Sequence, residues 1–335
     1  MLVKELVSLN APSGFEDEVR EFIRNKVVAD EIYTDSIGNL ICRKKGAGKK
    51  IMICAHMDEV GLIITEITEK GFLRFDTLGA IDTSVLGNKK VIIGRERIPG
   101  IIGAKAIHLQ DSKELKTPFN KKDLYIDIGA KDKDEAEKLV SQGDCAVFDG
   151  EYTPFGEHKI KAKALDDRVG CSILMELLKD SYDSDLYFVF SVQEEVGLRG
   201  AIIASHHIKP ELALVIDGTT CNDVHGSKPH NRVTTLGGGA VMTAADRSAI
   251  SDENFFNFIK TLANDNGIKL QIKRTTAGGT DAGAIQRSNC GVKTAVIAVP
   301  CKYIHSPISV LDINDYDNVY QLIKTILKNI EKSGL

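Results

Sequence analysis

Two adjacent glutamates, Glu194 and Glu195, follow the apolar run 186–192 and precede a turn carrying Gly197 and Gly200. Neighbouring side chains on an extended backbone point to opposite sides, so one glutamate is free to bind a metal while the other faces a water on that metal. Taken alone, the pair also matches a solvated strand end. Polar residues in comparable places weigh against that: His56 and Asp58 after the apolar run 50–55, Asp166 and Asp167 ahead of a helix, Asp217 after 212–216, and His305 after 293–299. Two imidazoles with several carboxylates are the ligand set of a centre for two divalent ions such as zinc, cobalt or manganese, one carboxylate bridging the pair. Asp58 lies two residues beyond His56 on the same strand face, and a metal-bound histidine commonly gives its other ring N–H to a carboxylate. Each residue also has a plainer role open to it: a core histidine at 56, helix capping at 166 or 167, a turn at 217, a loop at 305. The adjacent His206 and His207 have no carboxylate at useful spacing and read as structural.

The elements that must position these residues alternate as in an α/β fold. Ser13 and Glu16 have the spacing of a capping box opening a helix with Val19, Phe22, Ile23 and Val27 on its apolar side. Strands are predicted over 39–43 and 50–55. Between about 63 and 152 the texture changes, and Gly71, Gly79, Gly87, Gly94, Gly100 and Gly103 punctuate short β-like runs. This predicts a small all-β domain inserted into the α/β one. Beyond Pro154 the alternation returns, with a helix after Asp166–Asp167, the glutamate strand, and a strand ending at Asp217. A helix over 251–266 follows, with Ser251 as its N-cap, and then a strand over 269–274. The loop TTAGGTDAG, a last strand over 293–299 and a closing helix with Val319, Leu322, Ile323, Ile326, Leu327 and Ile330 on one face complete the chain.

The chain has 335 residues, 27% charged and 43% hydrophobic, an ordinary globular composition long enough for two domains or one large one. Its formal charge of -4 gives no support to nucleic-acid binding. No apolar stretch approaches the ~20 residues needed to cross a membrane, and Lys4 and Glu5 stand where a signal peptide needs its apolar core. The seven cysteines are scattered, without C-x-x-C spacing, and read as reduced core residues. These features point to the cytoplasm.

AHMDEVG at 55–61, ALDDRVG at 164–170, QEEVGLRGA at 193–201, IDGT at 216–219, GGTDAG at 278–283 and YIHSP at 303–307 occur in this order along nearly the whole chain. In this the sequence resembles the M42 family of dinuclear metallo-aminopeptidases, of the glutamyl, deblocking and tetrahedral types. The resemblance implies a mixed-sheet zinc-aminopeptidase-like catalytic domain over 1–62 and 153–335, with a β-barrel-like dimerisation domain over 63–152. It implies two divalent metal ions per subunit, bridged by Asp166, with His56 and Asp217 completing one site and Glu195 and His305 the other. Glu194 would be the general base and Asp58 the partner of His56. The resemblance further implies peptide substrates and a homo-oligomer, built from dimers up to a tetrahedral dodecamer. The chain departs from the family pattern after Asp217, where CNDVHGSKPHNRV precedes LGGGAV.

The chemistry so implied is removal of N-terminal residues from peptides. Two cations bring the pKa of a shared water from 15.7 toward ~7, and Glu194 takes its proton as the hydroxide attacks the peptide carbonyl. The alternatives are a deacylase or carboxypeptidase using the same centre, and an endoglucanase. A glycosidase needs carboxylates facing each other across a sugar, whereas Glu194 and Glu195 diverge, and the chain has no Trp to stack on sugars. Arg247, Arg274 and Lys302 lie near motif residues as candidate selectors of acidic side chains, and Thr280 and Asp281 are candidates for the pocket wall.

Overall fold

The computed structural model of the chain describes residues 2–112 and 116–335. In chain order the strands of the large sheet are β1 (Glu31–Thr34), β2 (Leu40–Lys44) and β3 (Lys50–His56), and those of the barrel are β4 (Gly61–Ile67), β5 (Leu73–Leu78), β6 (Lys90–Ile93), β7 (Ile98–Gly103), β8 (Tyr125–Asp127) and β9 (Cys145–Phe148). The chain then returns to the large sheet with β10 (Thr153–Pro154), β11 (Lys159–Ala162), β12 (Asp185–Ser191), β13 (Leu212–Thr220), β14 (Ala240–Thr243), β15 (Leu270–Ile272), β16 (Lys293–Lys302) and β17 (Ser309–Asp312). The helices are α1 (Leu2–Leu6), α2 (Asp17–Arg24), α3 (Lys133–Ala136), α4 (Leu165–Leu177), α5 (Arg199–Ile208), α6 (Glu253–Asp265), α7 (Asp281–Gln286) and α8 (Ile313–Asn329).

The sheet runs β1-β2-β12-β3-β13-β16-β17-β11-β10, with β14 and β15 branching from β16. Its centre, β12-β3-β13-β16, is parallel. These strands are nearly continuous apolar sequence because both faces are covered. Helices α1, α2, α4, α6 and α8 share one core, which includes Phe188, Phe190, Ile53 and Ile216. Helices α5 and α7 cover the other face, against Met52, Cys54, Val189 and Val215. The parallel arrangement sends the carboxyl ends of β12, β3 and β13 to one edge, and the register pairs Ser191 with His56. Strands β4-β5-β8-β7-β6-β9 close a barrel around its own apolar core, built on Leu62, Ile64, Ile93 and Ile126. The whole is a mixed α/β protein carrying a small six-stranded barrel.

Several local expectations are corrected. Ser13 and Glu16 form no capping box: the first residue before α2 makes no side-chain cap bond, and both side chains turn to the strand ends instead. The N-cap of α6 is Asp252, which accepts the Phe255 N–H, while Ser251 donates to the Thr243 carbonyl. Strand β13 continues through Asp217 to Thr220, because β16 runs beside it in register to Cys301. The predicted last strand is followed by β17, whose antiparallel pairing with β16 requires the intervening YIHSP segment to turn back on itself.

A buried ion cluster fixes two motif segments and the amino-terminal segment against one another. Glu59 Oε1 accepts from Lys163 Nζ at 2.7 Å, from Arg168 Nη2 at 3.1 Å and from the Ala11 N–H at 3.1 Å. The Arg168 guanidinium also donates to the carbonyls of Met57 at 2.9 Å and Leu6 at 2.6 Å. All three charged side chains are almost wholly buried, Arg168 completely. Burial disfavours the Lys163 ammonium and lowers its pKa, an effect that Glu59 opposes. Glu59→Ala strands two buried cations, and such losses cost about 3–5 kcal/mol. Urea unfolding of this variant is expected to show a loss of that order; a loss below about 1 kcal/mol would contradict the role given to the cluster.

Candidate metal centre

The polar residues at the strand ends converge. His56 closes β3, Glu194 and Glu195 follow β12, Asp217 lies within β13, and His305 belongs to the turn between β16 and β17. Asp166 comes from the start of α4, where it and Asp167 have non-helical backbone angles and share a cis peptide bond. The two oxygens of Asp166 face different imidazoles. Oδ1 is 3.2 Å from His56 Nε2, and Oδ2 is 3.6 Å from His305 Nε2. Around these, Asp217 Oδ1 is 3.7 Å from His56 Nε2 and Glu195 Oε2 is 3.4 Å from His305 Nε2.

The donor atoms are close enough to share cations. One group, His56, Asp166 and Glu195, and another, His56, Asp167 and Asp217, each offer ligand atoms that lie within 4.8 Å of one another. Asp167 has other obligations: it accepts from the His56 N–H at 3.3 Å and from the Gly170 N–H at 2.9 Å. It therefore braces the site from behind. Close approach matters at Gly218, where a Cβ would stand 3.0 Å from Cα, Cβ and Cγ of Asp166. On the barrel side, Gly79 has a φ of +86° and a Cβ there would be 3.4 Å from Glu195 Oε2. A side chain at either glycine would crowd the carboxylates.

Asp58 is the hub beneath the glutamates. Its Oδ1 accepts the Glu194 N–H at 3.0 Å, and its Oδ2 accepts the Glu195 N–H at 3.2 Å and the Ser13 hydroxyl at 2.6 Å. His56 Nδ1 is 3.1 Å from the Asp58 carbonyl oxygen and 3.4 Å from its carboxylate. The backbone carbonyl is thus the nearer partner of the ring. Glu16 completes the turn by accepting the Gln193 N–H at 3.0 Å and the Gly14 N–H at 2.7 Å. Gln193, Ala164 and His305 all have positive φ values between 51° and 56°. Three non-glycine residues held in this region cost about 1 kcal/mol or more each, and such outliers cluster at functional sites.

The electrostatics ask for positive charge. Burial pushes Glu194 and Glu195 well above the usual carboxylate range, and neighbouring carboxylates add to it. Asp217 is pushed up to about 7 by burial and then by Asp166. Burial opposes a charged His56, yet contacts with Asp166, Asp217 and Asp58 prevail and raise its pKa well above the ordinary value. A dense set of carboxylate oxygens with two imidazoles, and no cysteine among the site residues described, is the hard-to-borderline donor set that zinc, cobalt and manganese accept. The residues present fit divalent cations.

A family model described as M42 glutamyl aminopeptidase matches residues 38–322. The chain belongs to this family. A putative aminopeptidase of Acetivibrio thermocellus is 37% identical over 96% of both chains. A lysyl aminopeptidase of Pyrococcus furiosus is 32% identical over 98% of this chain and 97% of its own. Among solved structures, the aminopeptidase APDkam598 from the archaeon Desulfurococcus kamchatkensis superposes with a TM-score of 0.94 at 36% identity, over 98% of this chain and 93% of its own. The TET1 peptidase of Pyrococcus horikoshii, which can assemble into a tetrahedron or a large octahedral shell, has a TM-score of 0.87 at 36% identity over 97% and 98%. This M42 protein is a hydrolase, a metal-dependent aminopeptidase, and its family implies divalent metal ions. No helix among the described residues is long and apolar enough to cross a membrane.

The supporting residues Ser13, Glu16 and Lys163 lie outside the motifs and escape a reading by motif. Glu59 and Arg168 carried a usable signal, as charges inside AHMDEVG and ALDDRVG that no chemistry claimed. Of the candidate wall residues, Thr280 lines the cavity over the site. Asp281 lies below the strand ends, accepting from the Ser191 hydroxyl at 2.6 Å and the Cys54 thiol at 3.4 Å.

Burial, and then the charge of Asp58, push Glu16 up to about 7 from 4.5. A folded-state pKa above the unfolded one gives stability that is full below pH 4.5 and lost as pH rises through 7. Glu16→Gln removes that loss. Its unfolding free energy relative to the parent is expected to rise by up to about 3 kcal/mol between pH 4.5 and 8. Urea titrations at matched metal content would show it, and a difference that stays flat with pH would refute the assignment.

Proposed function

We propose that this aminopeptidase is dinuclear, with His56 and Asp217 holding one divalent ion, Glu195 and His305 the other, and Asp166 shared between them. The observation that carries this reading is the division of the Asp166 carboxylate, one oxygen toward His56 and the other toward His305. When bound, such cations acidify a water and polarise a peptide carbonyl. Zinc, cobalt and manganese all suit the donors.

Glu194 is the general base. Its carboxylate lines the same cavity, makes no hydrogen bond to the described residues and is held basic by burial. It takes the proton of the attacking water and delivers a proton to the leaving amine. Asp58 acts at one remove, as a positioning residue: it holds the backbone N–H groups of Glu194 and Glu195, so the base and a ligand cannot shift independently. The cavity, of about 340 Å³, is at the small end for ligand pockets and suits a single terminal residue.

We assign the organisation 1–62 and 153–335 to the catalytic unit and 63–152, which contains the barrel except for Gly61 and Leu62 at the start of β4, to dimer contacts. Assembly of such dimers into a larger homo-oligomer is supported by the TET1 peptidase, a relative that forms closed shells. Seven free cysteines suit a reducing compartment, and the cytoplasm is where we place the protein.

Chelator-stripped protein is expected to lose release of N-terminal residues from aminoacyl anilides and to regain it when one of zinc, cobalt or manganese is added back. Elemental analysis should then find two ions per chain. Glu194→Gln should keep both ions and lose about 10²–10⁴-fold in kcat. Near-parental turnover in a fully metallated Glu194→Gln protein would remove Glu194 from the role of base.

A further inference from the structure

The cavity that holds Glu194 and His305 is also lined by Lys273, and by the threonines Thr219, Thr243, Thr275 and Thr280 among others. The backbone places this lysine firmly. It follows β15 directly, and its N–H donates to the Met242 carbonyl at 3.0 Å, extending the pairing of β15 with β14. Its ammonium lies close to the glycine-rich loop, 4.0 Å from where a Cβ on Gly278 would stand.

The candidates suggested by sequence do not reach this wall. Lys302 is paired with Asp223 at 2.9 Å. The Arg274 guanidinium donates to the Pro229 carbonyl at 3.4 Å, and Arg247 is exposed. None of the three lines the cavity, whereas Lys273 does and has no carboxylate partner among the described residues. The cavity's own carboxylates, Asp166, Glu194, Glu195 and Asp217, belong to the catalytic end.

An ammonium without a carboxylate partner, in a cavity also lined by threonines, offers charge-assisted hydrogen bonds to a carboxylate and repels a second cation. The M42 family spans opposite preferences, since its model is named for glutamyl substrates and the Pyrococcus furiosus relative for lysyl ones. We propose that Lys273 is the specificity-determining residue of this protein, and that its pocket selects an N-terminal residue with an acidic side chain and rejects lysine and arginine. This rests on the aminopeptidase reading of the site.

The test compares kcat/KM for the 4-nitroanilides of glutamate, glutamine, leucine and lysine, using the metal-loaded full chain. Glutamate and glutamine have the same shape, so their ratio isolates the charge. The parent is expected to favour glutamate over glutamine at least tenfold and to cleave lysine least. Lys273→Met should lower the glutamate-to-glutamine ratio by about 10- to 100-fold, mainly through KM, and Lys273→Arg should retain most of it. Lys273→Glu should turn the preference toward lysine. A parent that cleaves glutamine or lysine as well as glutamate, or a ratio unmoved in Lys273→Met, overturns the assignment while leaving the aminopeptidase intact. Failure to release any residue from any anilide, with both ions bound, overturns the aminopeptidase reading and this assignment with it.

Discussion

The carboxylate of Asp58 is the fixed point on which the site depends. It is fully buried and spends its acceptor capacity on the backbone of Glu194 and Glu195 and on Ser13. An ionised carboxylate in that position would be costly without such donors. Its partners hold it ionised: burial opposes charge, but His56, Ser13 and the Glu194 N–H together keep its pKa below the usual value. One side chain thereby couples the end of β3 to the turn after β12. The Glu59 cluster does similar work one residue on, joining the amino-terminal segment, the Met57 carbonyl and the start of α4.

Rigidity of this kind is what a crowd of like charges requires. Glu194, Glu195 and Asp217 are gathered with Asp166 at one sheet edge; burial and neighbouring carboxylates work against ionisation of the first three, whereas at Asp166 burial is outweighed by His56 and His305, which keep its pKa below the usual value. Left to relax, they would move apart. The parallel strands, the close approaches at Gly218 and Gly79, and the left-handed residues Ala164, Gln193 and His305 keep them together. The site is thus pre-organised for cations, and the free energy of holding it comes from the packed sheet and helices below. The specificity proposed for Lys273 would draw on a separate part of the fold, the β14–β15 branch that brings this lysine to the cavity.

Much of this was legible in the chain. The apolar runs at 50–55, 186–192, 212–216 and 293–299 identify buried parallel strands, and the residue just beyond a strand is a local property. His56, Asp58, Glu194, Glu195, Asp217 and His305 are candidates for that reason, and the change in glycine spacing marks the barrel. Local pattern misled where a side chain had a distant partner. Ser13 and Glu16 carry a helix-capping signature, yet Asp58 and the Gln193 N–H are their partners, 45 and 177 residues away.

The sequence by itself determined the main element types, the inserted β region and a set of candidate cation ligands, because periodicity and residue chemistry act over a few positions. Only the tertiary structure decided that the two oxygens of Asp166 look toward different histidines, that Asp167 turns back to the backbone, and that Lys273, not Arg247, Arg274 or Lys302, faces the cavity. Those outcomes depend on strand order and register, which bring together groups more than a hundred residues apart and carry no signature in any one stretch of chain.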